Sequence, residues 1–137
     1  MKKIYLDTNI FIDILTDRKL STISIEQIEP YLEDSSVFMS TLSVHIAYYI
    51  LKIKPNSPTD SKVKNLLSII KLVPLDEVIV SKALSSFVFD FEDTLQYHSA
   101  ILKNCNLILT RDTKDFNKIK ETIPYNIEII DTLEDFK

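Results

Sequence analysis

The feature that most constrains this chain is a short apolar run that ends in an acid and passes directly into a helix. Lys3-Ile4-Tyr5-Leu6 is typical of a β-strand, and Asp7 follows it at once. Apolar residues then recur at helical spacing, which predicts an amphipathic helix from about Thr8 to Asp17. Ligands of open α/β sheets bind outside the carboxyl ends of the strands. We therefore expect Asp7 to face a crevice at the end of the first strand.

The rest of the chain repeats this alternation of short strands and helices. Further strands are predicted near residues 37–39, 72–74, 107–109 and 126–130. The strand at 72–74 is expected toward a sheet edge, because Pro74 cannot donate a ladder hydrogen bond. Helices are predicted to open at these capping residues: Ser21-Thr22, Ser40 or Thr41, Thr59 or Asp60, Asp76 running to about Phe89, and Asp90 running to about Lys103. Residues 112–125 are expected to be mostly loop, and Thr132 is expected to cap a last helical turn.

This alternation predicts the α/β class, as a three-layer α/β/α sandwich around a central, mostly parallel sheet. A length of 137 residues suits one hydrophobic core, and no linker, repeat or low-complexity stretch interrupts the pattern. We therefore expect a single domain over residues 1–137.

Composition excludes several classes of function. The sequence contains no glycine, so it has neither a P-loop nor a dinucleotide-binding fingerprint, which need glycine for close approach to phosphate. A net charge of −4 argues against a broad basic surface for nucleic acid, but not against a nuclease whose acids gather at a metal ion. No apolar run approaches the roughly 20 residues that cross a bilayer, and the start is too short for a signal peptide. These features predict a cytoplasmic protein without membrane contact.

Three acids are predicted to meet at one edge of the sheet. Asp7 and Asp112 each follow a strand, and Asp93 lies at the start of a helix that runs antiparallel to the strand after it. Three like charges are unfavourable together unless they are neutralised. A hard divalent cation such as Mg²⁺, which prefers oxygen ligands, neutralises them. Asp115, one helical turn beyond Asp112, is a candidate fourth member.

Each acid also has an ordinary structural explanation. Asp7 can cap the first helix, and Asp93 with Asp90 can form a cap with favourable charge on the helix dipole. Asp112 and Asp115 fall in a stretch rich in turn residues, where aspartate is common. No single acid is specific, but their joint placement favours a site.

At these residues the sequence resembles the PIN domain family, specifically the small prokaryotic VapC-like toxins. The resemblance is carried, in order along the chain, by Leu6-Asp7-Thr8-Asn9-Ile10, Asp90-Phe91-Glu92-Asp93-Thr94-Leu95-Gln96-Tyr97 and Leu109-Thr110-Arg111-Asp112-Thr113-Lys114-Asp115-Phe116. Shorter matches lie at residues 40–43 and 73–76, so the resemblance covers essentially the whole chain.

The resemblance implies a PIN-like domain with the activity of an Mg²⁺- or Mn²⁺-dependent endoribonuclease, the toxin half of a toxin–antitoxin pair. It also implies a homodimer and a small antitoxin that blocks the acidic groove. We expect the third and fourth helices to be the docking surface for the antitoxin or the second subunit. By the same resemblance, catalysis and metal binding fall to Asp7, Asp93 and Asp112, with Asp115 assisting the metal. Thr8, Asn9 and Thr110 match polar positions that orient ligands. Arg111, beside Asp112, is a candidate contact to substrate phosphate, or else it pairs with nearby acids.

One departure from the family concerns the third helix. Many members carry an acid early in it, whereas residues 43–49 contain none. His45 lies near the expected place, either as a substitute ligand or RNA contact or as an ordinary surface residue. Asp13 on the first helix either compensates or is solvated. The missing acid keeps open a catalytically weak or inactive PIN domain that binds RNA or protein.

Two further alternatives depend on other residues. A haloacid-dehalogenase-like phosphatase needs a second aspartate two residues after the nucleophile, and Asn9 occupies that position. Four lysines near the predicted hairpin of the third and fourth helices either grip RNA phosphates or are simply solvated: Lys52, Lys54, Lys62 and Lys64.

Overall fold

In the computed structural model, residues 2–16, 25–33 and 36–133 are described, and five strands in them form one sheet. The strands are β1 (Ile4–Leu6), β2 (Val37–Ser40), β3 (Lys71–Val73), β4 (Leu107–Leu109) and β5 (Glu128–Ile130). Their order is β3-β2-β1-β4-β5, and every neighbouring pair is parallel. β1 is central, and the edge position of β3, which Pro74 follows, is as expected from the sequence.

Seven helices connect and flank these strands within the described ranges. They are α1 (Thr8–Thr16), α2 (Ile25–Glu33), α3 (Thr41–Leu51), α4 (Pro58–Leu67), α5 (Glu77–Ser86), α6 (Phe91–Leu102) and α7 (Thr113–Thr122). The side chains of Ser40, Ser57, Asp76 and Asp90 cap α3, α4, α5 and α6. The predicted opening of the second helix at Ser21-Thr22 lies outside the described residues. No helix within the described ranges is long and apolar enough to span a bilayer.

The three-layer sandwich predicted from the sequence is confirmed. Successive side chains along a strand point to opposite faces of the sheet. Ile4 and Leu6 of β1 are buried with residues of α1, α2, α3 and α4, whereas Tyr5 is buried with residues of α5, α6 and α7. The sheet therefore carries a hydrophobic core on each face. The carboxyl ends of its parallel strands lie along one edge, together with the starts of the helices that follow them.

Two local predictions are wrong or only partly right. Residues 112–125 are not mostly loop, because α7 occupies 113–122 and buries Phe116 and Ile119. Most of its other residues are polar or charged, so apolar periodicity alone is a weak signal there. α5 ends at Ser86 rather than near Phe89, and Phe87 follows it in extended conformation. The helical turn that Thr132 is expected to cap falls on residues 134–137, outside the described residues.

Candidate metal centre

Three carboxylates meet where β1 and β4 end and α6 begins. β1 and β4 are adjacent, with Leu6 opposite Leu109, so the residues that follow them are brought to the same edge. One carboxylate oxygen from each of Asp7, Asp93 and Asp112 lies within 4.8 Å of the other two. Asp7 and Asp93 are buried, while Asp112 is exposed. The structure thus brings together residues that lie over 100 positions apart in the chain.

Asp7 is held by hydrogen bonds on both carboxylate oxygens. Oδ1 accepts the backbone N–H of Thr8 at 2.8 Å, and Oδ2 accepts the hydroxyl of Thr110 at 2.7 Å. Its backbone carbonyl accepts the N–H of Phe11, so Asp7 also opens α1. Burial raises the pKa of Asp7 to about 6 despite these two hydrogen bonds, and the charge of Asp112 adds to the rise.

Asp90 and Asp93 form the helix cap that the sequence allowed, and the side chain of Asp93 remains available to the pocket. The cap of α6 is Asp90, whose Oδ1 accepts the backbone N–H of Asp93 at 2.8 Å. This arrangement leaves the Asp93 carboxylate in the acidic pocket, 8% exposed. Burial, followed by the charges of Asp7 and Asp90, raises the pKa of Asp93 to about 8.

Asp112 is oriented by neighbours from two elements. It occupies the N-cap position of α7, yet its side chain makes no capping hydrogen bond. Its Oδ2 instead accepts Nδ2 of Asn9 at 3.2 Å, and its backbone N–H donates to the Thr110 hydroxyl at 2.9 Å. The Thr110 hydroxyl, which is fully buried, therefore connects Asp7 with Asp112.

The carboxylates line a pocket of about 270 Å³. Polar residues form one side of it: Asp7, Thr8, Asn9, Asp90, Glu92, Asp93, Asp112 and Asp115. Asp115 lines the pocket but does not belong to the group whose oxygens lie within 4.8 Å of one another. No lysine or arginine is among the lining residues in the described part of the chain.

Glu92 is a pocket residue that the sequence reasoning did not single out. Its pKa is raised by burial and by the nearby charges of Asp90 and Asp112. The signal available in the sequence was its place beside Asp93 in the first turn of α6. Two adjacent acids at a helix start are also an ordinary response to the helix dipole, so that signal was not specific.

The residues of α3 that line the acidic pocket are isoleucines. Ile46 and Ile50 line the pocket together with Ile12 of α1, forming an apolar wall. His45 is exposed, is absent from the lining and stacks on Tyr49, with ring centroids 6.4 Å apart. The residue nearest to the expected place of the missing acid is therefore Ile46, not His45.

Asp13 is not solvated, which corrects the expectation from the sequence. Its side chain is 1% exposed and pairs with Arg111, whose Nε lies 2.8 Å from Oδ2. The backbone N–H of Arg111 also donates to Oδ1 of Asn9 at 3.3 Å. Arg111 does not line the pocket, so the ion pair ties α1 to the segment after β4 at the pocket rim.

Two of the four hairpin lysines have partners inside the protein. Lys62 Nζ donates to the backbone carbonyl of Ile14 at 2.7 Å, near the end of α1. Lys64 Nζ pairs with Asp60 at 2.9 Å. Lys52 and Lys54 are exposed, and Lys52 ends α3 in the left-handed conformation. Two of the four lysine side chains of this hairpin thus bind groups within the protein itself.

The donor set fits a hard divalent cation. Carboxylate oxygens dominate it, and Mg²⁺ is held in proteins by such oxygens with the remaining positions taken by water or substrate phosphate. The three carboxylate oxygens lie within 4.8 Å of one another. This distance is slightly longer than the roughly 4.2 Å that separates two opposite ligands of Mg²⁺, which is twice the ideal metal–oxygen bond length. Burial is the main cause that raises the pKa values of Asp7 and Asp93, and no lysine or arginine of the described residues lines the pocket.

Comparison with known proteins assigns the family. The PIN domain model matches residues 4–122, so the chain belongs to the PIN domain family. It is 26% identical over 140 residues to Ribonuclease VapC1 of Aquifex aeolicus (strain VF5), covering 97% of this chain and 92% of that protein. This assignment leaves the haloacid-dehalogenase-like alternative without support.

Solved structures share the fold. VapBC2 from Rickettsia felis, bound to a DNA fragment from its promoter, superposes with a TM-score of 0.67 at 18% identity, covering 93% of this chain and 96% of that one. FitAcB from Neisseria gonorrhoeae gives a TM-score of 0.58 at 17% identity, with coverage of 93% and 96%. At these identities the likeness shows the three-layer architecture alone.

Proposed function

We propose that this protein is a metal-dependent endoribonuclease and the toxin of a type II, VapBC-like toxin–antitoxin pair in the cytoplasm. The observation that carries the proposal is the convergence of Asp7, Asp93 and Asp112 in a pocket that no lysine or arginine of the described residues lines. Membership of the PIN domain family and the similarity to Ribonuclease VapC1 support the same activity. One domain over residues 1–137 would carry both the catalytic pocket and the surfaces for partners.

The proposed metal ligands are Asp7, Asp93 and Asp112, with Asp115 at the pocket rim as an assisting acid. A bound Mg²⁺ or Mn²⁺ polarises a phosphodiester, lowers the pKa of a water and stabilises the leaving oxygen. The chain's own residues orient the ligands. Thr8 and Thr110 hold the two oxygens of Asp7, as described above, and Asn9 holds Asp112. These hydrogen bonds keep the lone pairs of the carboxylates directed into the pocket.

Arg111 is proposed to contact the RNA backbone. Its side chain is 38% exposed, and it follows Thr110 at the rim of the pocket. The pair with Asp13 limits its rotamers, so the guanidinium is held beside the acids without entering the pocket. The remaining guanidinium donors can then reach a phosphate oxygen next to the scissile bond.

A small antitoxin and a second copy of this chain are the proposed protein partners. Two of the similar solved structures are titled as a toxin–antitoxin complex from Klebsiella pneumoniae and as VapBC2. Large apolar side chains are exposed on α3 and on α5 with the segment after it: Tyr49, Ile50, Val78, Leu84, Phe87, Val88 and Phe89. Exposed apolar surface of this kind is typical of protein interfaces. These positions favour α3 and α5, rather than α3 and α4, for docking.

The test is cleavage of a mixed panel of structured RNAs by antitoxin-free protein in Mg²⁺ or Mn²⁺. EDTA and Asp7→Asn should each abolish cleavage, because the first removes the cation and the second removes one of its ligands. Asp76→Asn, purified in the same way, is the matched control, since it changes an aspartate that only caps α5 and asparagine caps equally well. Cleavage that persists at the same rate in Asp7→Asn would overturn the proposal.

The apolar residue on α3 favours one second candidate, a weakly active or inactive PIN domain that binds RNA or protein. Ile46 lines the pocket where many family members present an acid. Such a module would retain RNA in EDTA, since its binding would not need the cation. Cation-independent RNA retention without cleavage by folded protein, even at high Mn²⁺, would select this candidate.

A further inference from the structure

A network of buried polar side chains lies directly beneath the metal centre. Gln96 of α6 is fully buried, and both ends of its amide are hydrogen-bonded. Oε1 accepts the hydroxyl of Tyr5 on β1. Nε2 donates to the hydroxyl of Thr8 on α1 at 3.0 Å and to that of Ser43 on α3 at 3.3 Å. The Thr8 and Ser43 hydroxyls lie 2.7 Å apart, which closes the network.

The members of this network flank the proposed metal ligands along the chain. Tyr5 precedes Asp7 by two residues, Thr8 follows it, and Gln96 lies three residues after Asp93 on the same helix. Thr8 also donates its backbone N–H to the carboxylate of Asp7. The Gln96 amide is therefore a direct link between the helix that carries Asp93 and the strand end that carries Asp7.

Stability alone does not call for an amide at this position. A hydrogen-bonded pair in a core can often be replaced by apolar groups of the same shape at little cost. A fully satisfied polar network does provide directionality, because each donor and acceptor accepts only a narrow range of positions. With three elements bonded to one amide, α6 can neither slide along β1 nor rotate about its own axis without breaking a buried hydrogen bond.

The metal centre needs that restraint. Asp7 and Asp93 belong to different elements, so the separation of their carboxylates depends on where α6 lies relative to the end of β1. We infer that Gln96 is a positioning residue of the metal centre, which holds the Asp93 helix against the Asp7 strand end at the separation that a divalent cation requires. This inference rests on the proposed metal-dependent function and adds a residue that touches neither cation nor substrate.

The test compares two variants of α6 that each change a buried side chain and lose its hydrogen bonding. Gln96→Met keeps the side-chain length and removes the amide. Tyr97→Phe is the matched control: Tyr97 is equally buried, but its hydroxyl donates to the carbonyl of Ile123 at 2.7 Å, on the side of α7. Mn²⁺ affinity is measured by electron paramagnetic resonance of free Mn²⁺, and thermal unfolding in EDTA reports stability.

We expect Gln96→Met to bind Mn²⁺ about 10–100-fold more weakly, the range for residues that orient metal ligands. Tyr97→Phe should lose stability without losing Mn²⁺ affinity, since it changes no group bonded to the network. Ser43→Ala removes one acceptor of the Gln96 amide and should weaken Mn²⁺ binding in the same direction but less. It serves as the decisive variant if Gln96→Met fails to fold.

Two negative results have different meanings. Wild-type protein that binds no Mn²⁺ would overturn the proposed function, and the inference with it. Wild-type protein that binds Mn²⁺, with the folded Gln96→Met or Ser43→Ala protein binding it equally tightly, would overturn the inference alone. A purely structural role for Gln96 predicts this second result, with lowered stability and unchanged affinity.

Discussion

The fold treats the buried carboxylates of two regions, the first turn of α4 and the candidate metal centre, in opposite ways. In the first turn of α4, Asp60 accepts the Tyr48 hydroxyl at 2.6 Å and the Asn56 backbone N–H at 2.9 Å, and it pairs with Lys64. These partners, with the Tyr48 hydrogen bond contributing most, lower the pKa of Asp60 to about 2. The protein thus supplies this carboxylate with two donors and a cation.

In the candidate metal centre, the two hydrogen bonds to Asp7 do not offset its burial, and no lysine or arginine of the described residues lines the pocket. Burial is the main cause that raises the pKa of Asp7 to about 6 and that of Asp93 to about 8, and neighbouring acids add to it. Asp60 thus receives a lysine as well as hydrogen-bond donors, whereas Asp7 receives donors without a lysine, and raised pKa values of this kind are typical of functional sites. This contrast distinguishes the two regions although both contain buried aspartates. The predictions that follow test it.

The largest expected effect is stabilisation of the wild type by a divalent cation. Mn²⁺ at about 100 times its dissociation constant should raise the free energy of unfolding by about 2.7 kcal/mol, because it binds the folded state alone. Asp93→Asn should abolish this rise, while Asp60→Asn should lower the starting stability and keep the rise. Thermal unfolding with Mn²⁺ and with EDTA measures both. An equal rise in the free energy of unfolding in wild type and in Asp93→Asn would contradict the proposed difference between the two regions.

The ion pair between Asp13 and Arg111 provides an intermediate case at the pocket rim. Arg111→Met leaves the Asp13 carboxylate buried without a partner, which in a fully buried pair costs about 3–5 kcal/mol. Arg111 is 38% exposed, so solvent screening reduces the expected cost to about 2 kcal/mol. Asp13→Asn removes the buried charge itself and should cost less. Urea unfolding measures the cost of both substitutions, and Lys114→Met, which changes an exposed lysine, is the control. Equal costs of Arg111→Met and Asp13→Asn would contradict a buried Asp13 carboxylate that Arg111 compensates.

The two regions should also respond oppositely to pH. Asp7 and Asp93 bind protons more tightly in the folded state than an ordinary aspartate with a pKa of 3.8 does, so stability in EDTA should fall as pH rises from about 4 to about 8. Asp93→Asn should flatten most of that fall. Asp60 has the reverse shift, so its contribution is present above about pH 4 and is lost as pH falls toward 2. Melting temperatures across this pH range show whether stability rises or falls with pH. A metal-free wild type that gains stability between pH 5 and 8 would refute the prediction.

The smallest effect concerns the lysine beside Asp60. The Lys64 side chain is 66% exposed, and exposed ion pairs contribute little to stability. Lys64→Met should leave the melting temperature nearly unchanged. Tyr48→Phe and Lys64→Met should each raise the pKa of Asp60, because the Tyr48 hydrogen bond is the largest cause of the lowered value and Lys64 adds a hydrogen bond and a charge. Carboxyl chemical shifts followed through acid titration measure both, and an unchanged pKa in Tyr48→Phe would show that charge rather than hydrogen bonding dominates there.

Much of the fold was predictable because its signals are local. The β-formers before Asp7, the breaks at proline-rich turns and the caps at Ser40, Asp76 and Asp90 each depend on a few adjacent residues. α7 was missed because it buries only Phe116 and Ile119, and two apolar residues carry little periodicity. The approach of Asp7, Asp93 and Asp112 was also predictable, since parallel strands place their carboxyl ends along one edge.

The sequence by itself determined the alternation of strands and helices, the edge at which the acids gather and the type of chemistry that such acids perform. Only the tertiary structure decided which partner each polar side chain has. It paired Asp13 with Arg111, turned Ile46 rather than His45 toward the pocket and bonded Gln96 to Tyr5, Thr8 and Ser43. These outcomes depend on the relative rotation of elements distant in the chain. That rotation is set by packing of whole helix faces against the sheet, which no local pattern encodes.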